Sequence, residues 1–190
     1  MSKTVIVETS ARHIHVTQEV LEKLFGAGAE LTKKKDLSQP GQYACEEKVT
    51  VVGPKGEFKM TILGPVRKAT QVELSLSDAR KIGIVAPVKE SGDIAGTQGC
   101  KLVGPAGECE ITEGVIAAKR HIHLDPATAD EYGLTNGQIV CLKVGNNGRN
   151  LIFDDVVIRV NENFAPAAHI DTDESNAAGL VGTVDGEIIV

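Results

Sequence analysis

The sequence predicts a mainly β protein with a few short helices. Short runs rich in Val, Ile, Leu and Thr recur along the chain, and glycine-containing turns separate them. Aromatic residues are only 3% and tryptophan is absent, so the core must be aliphatic. Helical periodicity never extends beyond two or three turns. Short β-branched strands at close spacing suggest small barrels or sandwiches. A length of 190 residues suffices for one larger domain or two small ones.

Taken in order, a strand at about residues 5–9 opens the chain and has no obvious hairpin partner nearby. Thr17 is a plausible N-cap for a short helix that Gly26 stops, with Glu19 in its first turn. Residues 49–52 and 58–63 flank Gly53-Pro54-Lys55-Gly56, a hairpin signal. Residues 101–103 and 108–111 flank Gly104-Pro105-Ala106-Gly107 in the same way. Asp125 caps a second short helix, with Pro126 at its first position and Gly133 at its end. Residues 139–144 and 150–153 flank Gly145-Asn146-Asn147-Gly148, and residues 156–160 add a further strand.

The net charge of −6 argues against nucleic acid or an anionic membrane as the main partner. Against that background, Lys33-Lys34-Lys35 is either solvated surface or a contact for a phosphate-rich ligand. Cys45, Cys100, Cys109 and Cys141 form no C-x-x-C pair and read as reduced thiols, consistent with a cytoplasmic protein. Neither a targeting leader nor a transmembrane run is expected.

Two tripeptides carry chemistry. His13-Ile14-His15 and His121-Ile122-His123 hold four of the five histidines, and an arginine precedes each, Arg12 and Arg120. In a strand, residues i and i+2 share a face, so each pair can offer two imidazoles to one cation. A capped helix follows both. The repeat reaches a third position: Glu73 and His169 each stand ten residues before a glycine, Gly83 and Gly179. The candidate ligand sets are therefore His13, His15 and Glu73, and His121, His123 and His169. Three N/O ligands with an open fourth position is the pattern of catalytic zinc. For Glu73 a surface carboxylate is the competing reading. Arg67, which follows Gly64-Pro65 and precedes Glu73, is either an oxyanion clamp or a surface arginine paired with an acid.

Together, Ser10-Ala11-Arg12-His13-Ile14-His15, Leu63-Gly64-Pro65-Val66-Arg67, Gln71-Val72-Glu73, Lys119-Arg120-His121-Ile122-His123 and the segment from His169 to Ala177 resemble the PduL-type phosphate acyltransferases, the phosphotransacylases of propanediol utilisation and their relatives. The resemblance covers nearly the whole chain. It implies two small capped β-barrels, residues 1–11 plus 120–190 forming one and residues 12–119 the other, with the active site at their interface. It implies two Zn2+ per chain on the two ligand sets. It also implies Arg67 as the phosphate-binding catalytic arginine, and Thr9, Ser10, Ala11 and Asn176 as coenzyme A contacts. Lys35, Lys55 and Lys59 are further candidates for the coenzyme. The implied reaction converts acetyl- or propanoyl-CoA and phosphate, reversibly, to acyl phosphate and CoA. The cysteines lie away from the histidine motifs, so no acyl-cysteine step is suggested. A homodimer is expected by analogy. Microcompartment members carry an N-terminal extension; His13 lies so near Met1 that none is expected here, which favours free cytoplasmic work.

Two other readings use the same residues. A two-metal hydrolase would act on a thioester or phosphate ester with metal-activated water, but no bridging aspartate is evident. A non-enzymatic zinc-binding β-barrel would be expected to show four protein ligands, cysteines among them.

Overall fold

A computed structural model describes residues 3–145 and 148–190. Its elements in chain order are β1 (Thr4–Ser10), β2 (His13–His15), α1 (Gln18–Phe25), β3 (Lys33–Asp36), β4 (Tyr43–Gly53), β5 (Gly56–Gly64), β6 (Gln71–Glu73), α2 (Leu76–Ile82), β7 (Val88–Lys89), β8 (Cys100–Val103), β9 (Glu108–Ile111) and β10 (Val115–Ala118). They continue with β11 (His121–Leu124), α3 (Pro126–Tyr132), β12 (Ile139–Val144), β13 (Leu151–Val160), β14 (Ala167–Asp171), α4 (Thr172–Ala178) and β15 (Val184–Ile189).

The chain divides into two compact units. The first comprises Met1–Ser10, Ser38–Pro40 and Lys119–Val190, and the second comprises Ala11–Leu37 and Gly41–Ala118. In the first unit six strands close into a barrel in the order β1-β14-β11-β13-β12-β15. The opening strand β1 runs parallel to β14 and antiparallel to β15, so its partners come from the far end of the sequence. Closure pairs every edge that an open sheet would expose. In the second unit the strands run β7-β10-β6-β2-β5-β4-β8-β9, with β3 on β4, a half-barrel sheet. The mainly β class with a few short helices, four among the described residues, is as the sequence predicts.

Both cores are mainly aliphatic, with Phe153 buried in the first. Ile122, Leu124, Leu142 and Ile158 are fully buried in the first unit, and Ile14, Leu21, Leu24 and Ile62 in the second. Ile14 and Ile122 are the middle residues of the two His-Ile-His tripeptides, and each is 0% exposed. Strand alternation sends each isoleucine into its core and turns the flanking histidines to the opposite face. Burial of one such side chain is worth ~1.5–3 kcal/mol, so the core anchors each histidine pair through its central residue.

The expected caps form. The Thr17 side chain accepts from the Val20 N–H at 3.1 Å, and Asp125 accepts from the Thr128 N–H at 3.0 Å, with Pro126 at the first helical position. Gly133 closes α3 in the left-handed region (φ 60°), which glycine enters without steric penalty. The Pro54-Lys55 turn joins β4 to β5 through the Gly53–Gly56 pair. Val103 pairs with Glu108 across the next hairpin, joining β8 to β9. One expectation differs. The two strands expected at residues 150–153 and 156–160 are one continuous strand, β13. Its apparent break at Asp154-Asp155 is an irregularity within the strand: Asp155 takes φ 55° and the register against β12 shifts nearby. A bulge keeps pairing on both sides where sequence alone suggests two elements. The expected Asn146-Asn147 turn lies outside the described residues.

Candidate metal and phosphate site

Each unit brings together one of the two ligand sets. In the second unit β2 pairs antiparallel with β6, and the register sets His13 directly opposite Glu73 and His15 opposite Gln71. In the first unit β11 pairs antiparallel with β14, and the same register sets His121 opposite His169. The donor atoms of His13, His15 and Glu73 all lie within 4.8 Å of one another, as do those of His121, His123 and His169.

Backbone carbonyls orient the imidazoles. The His13 Nδ1 lies 2.8 Å from the Ala11 carbonyl, and the His121 Nδ1 lies 2.8 Å from the Lys119 carbonyl, also two residues back. The His15 Nδ1 lies 3.2 Å from the Leu63 carbonyl. A carbonyl can only accept, so these bonds put the proton on Nδ1 and leave Nε2 with its lone pair exposed. The His13 Nε2 is 3.4 Å from Glu73 Oε2, and the His15 Nε2 is 4.0 Å from Glu73 Oε1. In the first unit the His121 and His123 ring centroids are 4.6 Å apart, and each lies within 5.2 Å of the His169 ring. The Glu8 carboxylate, opposite His169 across β1 and β14, comes within 3.9 Å of its Nδ1, and Ser38 donates a hydrogen bond to that same oxygen.

The electrostatics suit cation binding. Burial, reinforced by the positive charges of His13 and Arg67, lowers His15 to about 3. Burial, then the charges of His121 and His169, lowers His123 to about 2. Both rings are therefore neutral near pH 7, as a metal ligand must be. Burial also disfavours charge on His13 and Glu73, but each charge offsets the other: His13 is raised and the Glu73 carboxyl sits well below its usual range. Among the described residues the buried His123 Nδ1 has no hydrogen-bond partner. A buried ring nitrogen with no partner, inside a three-histidine cluster, is a group that an ion or water would satisfy. One donor set is two imidazoles and a carboxylate, the other three imidazoles; both fit zinc with a coordination position left open.

The metal-free chain has a defined acid response. His15 and His123 bind fewer protons folded than unfolded between their lowered values and 6.5, so folding stability rises with pH across that interval. Glu73 acts in the same direction below 4.5. His13 acts oppositely: its contribution is present below 6.5 and is lost as pH rises through its raised folded value. Metal-free protein is expected to lose melting temperature steeply from pH 6.5 down to ~4, measured by circular dichroism. A flat profile over that interval would contradict the buried, neutral rings.

Arg67 is half-buried, its backbone N–H donates to the Val16 carbonyl at 2.8 Å, and its positive charge lowers both His13 and His15. Its charge is therefore felt at the first ligand set, opposing protonation of His13 and adding to the lowering of His15. Thr9 is exposed and its hydroxyl donates to the Ser175 hydroxyl at 2.7 Å, which sets it against α4 beside the exposed Asn176. Ser10 pairs with Asp171, the N-cap of α4. The structure thus brings Thr9, Ser10 and Asn176 to one end of the first unit, whereas Ala11, also exposed, opens the second. Lys33 and Lys34 of the basic run are exposed and paired with Asp36 and Glu46. Burial raises Cys45 to about 11 and Cys100 to about 12, which leaves neither thiol a nucleophile near pH 7.

Several supporting residues carry no local sequence signal. Arg12 donates to Asp78 at 2.9 Å and lies over the Phe58 ring at 4.4 Å. Arg120 pairs with Glu174 at 3.4 Å and lies over Phe153 at 5.4 Å. Both acids occupy the third position of the helix that follows the third ligand, α2 or α4. The arginine before each His-Ile-His thus ties the histidine strand to the segment carrying the third ligand. The Asp171-x-x-Glu174 capping box was readable from sequence; the arginine partners were not.

A family model described as phosphate propanoyltransferase matches residues 6–181. A phosphate propanoyltransferase of Thermotoga maritima is 54% identical over 93% of this chain and 84% of its own length. One of Clostridioides difficile is 52% identical over 94% and 86%, and one of Listeria monocytogenes 50% over 96% and 86%. The match spans both histidine tripeptides, Arg67, Glu73 and His169, the residues on which the two clusters are built. This chain belongs to the phosphate propanoyltransferase family.

Proposed function

We propose that this chain reversibly transfers a propanoyl or acetyl group between coenzyme A and inorganic phosphate, with one zinc ion held by His13, His15 and Glu73 and a second by His121, His123 and His169. The observation that carries the reading is the doubled cluster, in which each histidine pair faces its third ligand across the same antiparallel register. Family membership favours acyl transfer over the hydrolase and the non-enzymatic reading.

Zinc, when bound, supplies Lewis-acid stabilisation of charge developing on the thioester oxygen or the departing sulfur. The chain's own residues do the rest. Arg67 holds phosphate through its planar fork and aims an oxygen at the thioester carbonyl. Holding both reactants converts a bimolecular encounter into an oriented one, worth up to ~7–11 kcal/mol of barrier. Phosphate attacks directly, since the raised thiols offer no covalent relay. Coenzyme A is bound by Thr9, Ser10, Ala11 and Asn176, a role supported by the exposure of Thr9, Ala11 and Asn176, by the half-exposed Ser10 and by the Thr9–Ser175 bond at the edge of α4. A pocket separates propanoyl from acetyl by only ~1–3 kcal/mol for the one methylene, so both substrates are expected to react. Among the described residues no helix is long and apolar enough to cross a membrane. Cytoplasmic work as a homodimer completes the proposal.

Dialysis against a strong chelator is expected to lower acyl phosphate formation at least ~100-fold while the strand signal in circular dichroism persists, because each unit has its own mainly aliphatic core. Added Zn2+ is expected to restore activity. Undiminished activity in verified metal-free protein would overturn the zinc reading.

A further inference from the structure

The carboxylate of Glu73 is held in an unequal way. Glu73 is buried, at 8% exposure, and its Oε1 accepts two hydrogen bonds, from Gln71 Nε2 at 2.6 Å and from the Ser91 hydroxyl at 3.0 Å. Gln71 Nε2 also donates to the Ser91 oxygen at 2.8 Å. The Gly92 N–H donates to Gln71 Oε1 at 2.7 Å, which turns the amide so that its NH2 faces the carboxylate. Gln71 and Glu73 share a face of β6 because they are two residues apart. The other oxygen, Oε2, faces His13 Nε2 at 3.4 Å. Two donors thus occupy Oε1, which is also the oxygen nearest His15 Nε2 at 4.0 Å, and Oε2 is turned toward His13.

A carboxylate can ligate through one oxygen or chelate through two. Chelation fills an extra coordination position, whereas a catalytic centre needs one open for substrate. Resting on the zinc reading above, we infer that Gln71 and Ser91 are positioning residues: they withhold Oε1, hold Glu73 as a one-oxygen ligand, and so keep a coordination position open for a substrate oxygen or sulfur. Releasing Oε1 lets the carboxylate rotate, which weakens the preset geometry and allows chelation.

The test is titration of the metal-free full chain with Zn2+ and with Co2+, comparing wild type, Ser91→Ala, Gln71→Met, Ser91→Thr and, as the baseline lacking a ligand, Glu73→Ala. Wild type is expected to bind two equivalents. In Ser91→Ala and Gln71→Met, one of the two sites is expected to weaken ~10–100-fold while the other is unchanged. The visible Co2+ absorption of the weakened site should fall as its coordination number rises above four. Ser91→Thr keeps the hydroxyl and is expected to retain wild-type affinity. Melting temperatures of the metal-free variants separate a folding role from a positioning role. Two wild-type sites in both Ser91→Ala and Gln71→Met, with an unchanged Co2+ spectrum, would overturn the inference. A wild-type chain that binds no metal would overturn the zinc reading beneath it instead. Should Ser91→Ala not fold, Gln71→Met decides alone.

Discussion

Replacing His121 with alanine is expected to cut acyl phosphate formation by ~1,000-fold or more and to lower bound zinc from two equivalents toward one. The His121 ring is half-buried and oriented by the Lys119 carbonyl at 2.8 Å, so it presents its far nitrogen to a cluster of three donors among the described residues. With two donors left, a zinc ion would be held by two histidines and water, and its affinity is expected to collapse. Loss of a Lewis acid removes several kcal/mol of transition-state stabilisation, and each 1.36 kcal/mol is about tenfold in rate. The barrel should survive, because the ring faces away from the core that Ile122 enters. Metal analysis alongside kcat checks the claim. A variant that keeps wild-type rate with one zinc would show that the first unit's centre is dispensable. Combining His121→Ala with Glu73→Ala should cost little more than either alone if the two centres act on one reaction.

Arg67→Ala is expected to lower kcat/KM for phosphate by ~100–1,000-fold with the melting temperature nearly unchanged, the size seen when one preorganised donor to developing charge is removed. Arg67→Lys should recover only part of the loss. An ammonium supplies the charge but not the planar fork that grips two oxygens of one phosphate. The substitution has a second readout that does not depend on turnover. Arg67 lowers the proton affinity of both His13 and His15, so its removal should move both upward in the metal-free chain, measurable by NMR titration of the ring protons. Histidine titrations unmoved by Arg67→Ala would mean that the guanidinium sits too far from the cluster to share an anion with it.

The cluster geometry was legible because it rests on local rules. The i, i+2 rule placed both imidazoles of each tripeptide on one face, and the buried Ile14 and Ile122 show what pins them there. Glu73 and His169 could be matched because Gly83 and Gly179 end α2 and α4 in the left-handed region, so each ten-residue spacing measured the same strand–cap–helix segment. Two hairpins were legible from Gly-Pro turn chemistry, and the caps Thr17 and Asp125 from side-chain oxygens ahead of a helix. What escaped is long-range. Ser91 meets Glu73, and Ser38 meets Glu8, through loop paths that no periodicity encodes. Gln71 lay inside a recognised motif, yet its bond to Glu73 needed coordinates. The partners of β1 come from residues 167–171 and 184–189, and nothing in the residues 4–10 themselves names them. The continuity of β13 was hidden because two adjacent aspartates look like a break, while a bulge lets the ladder pass through them.

The most direct test is thiol release from propanoyl-CoA by the purified full chain, run with and without inorganic phosphate and with acyl phosphate measured in the same samples. The account predicts release that requires phosphate, with one acyl phosphate formed per thiol freed. Thiol release at the same rate without phosphate, and with free propanoate as product, would contradict it and make the doubled histidine cluster a hydrolytic centre.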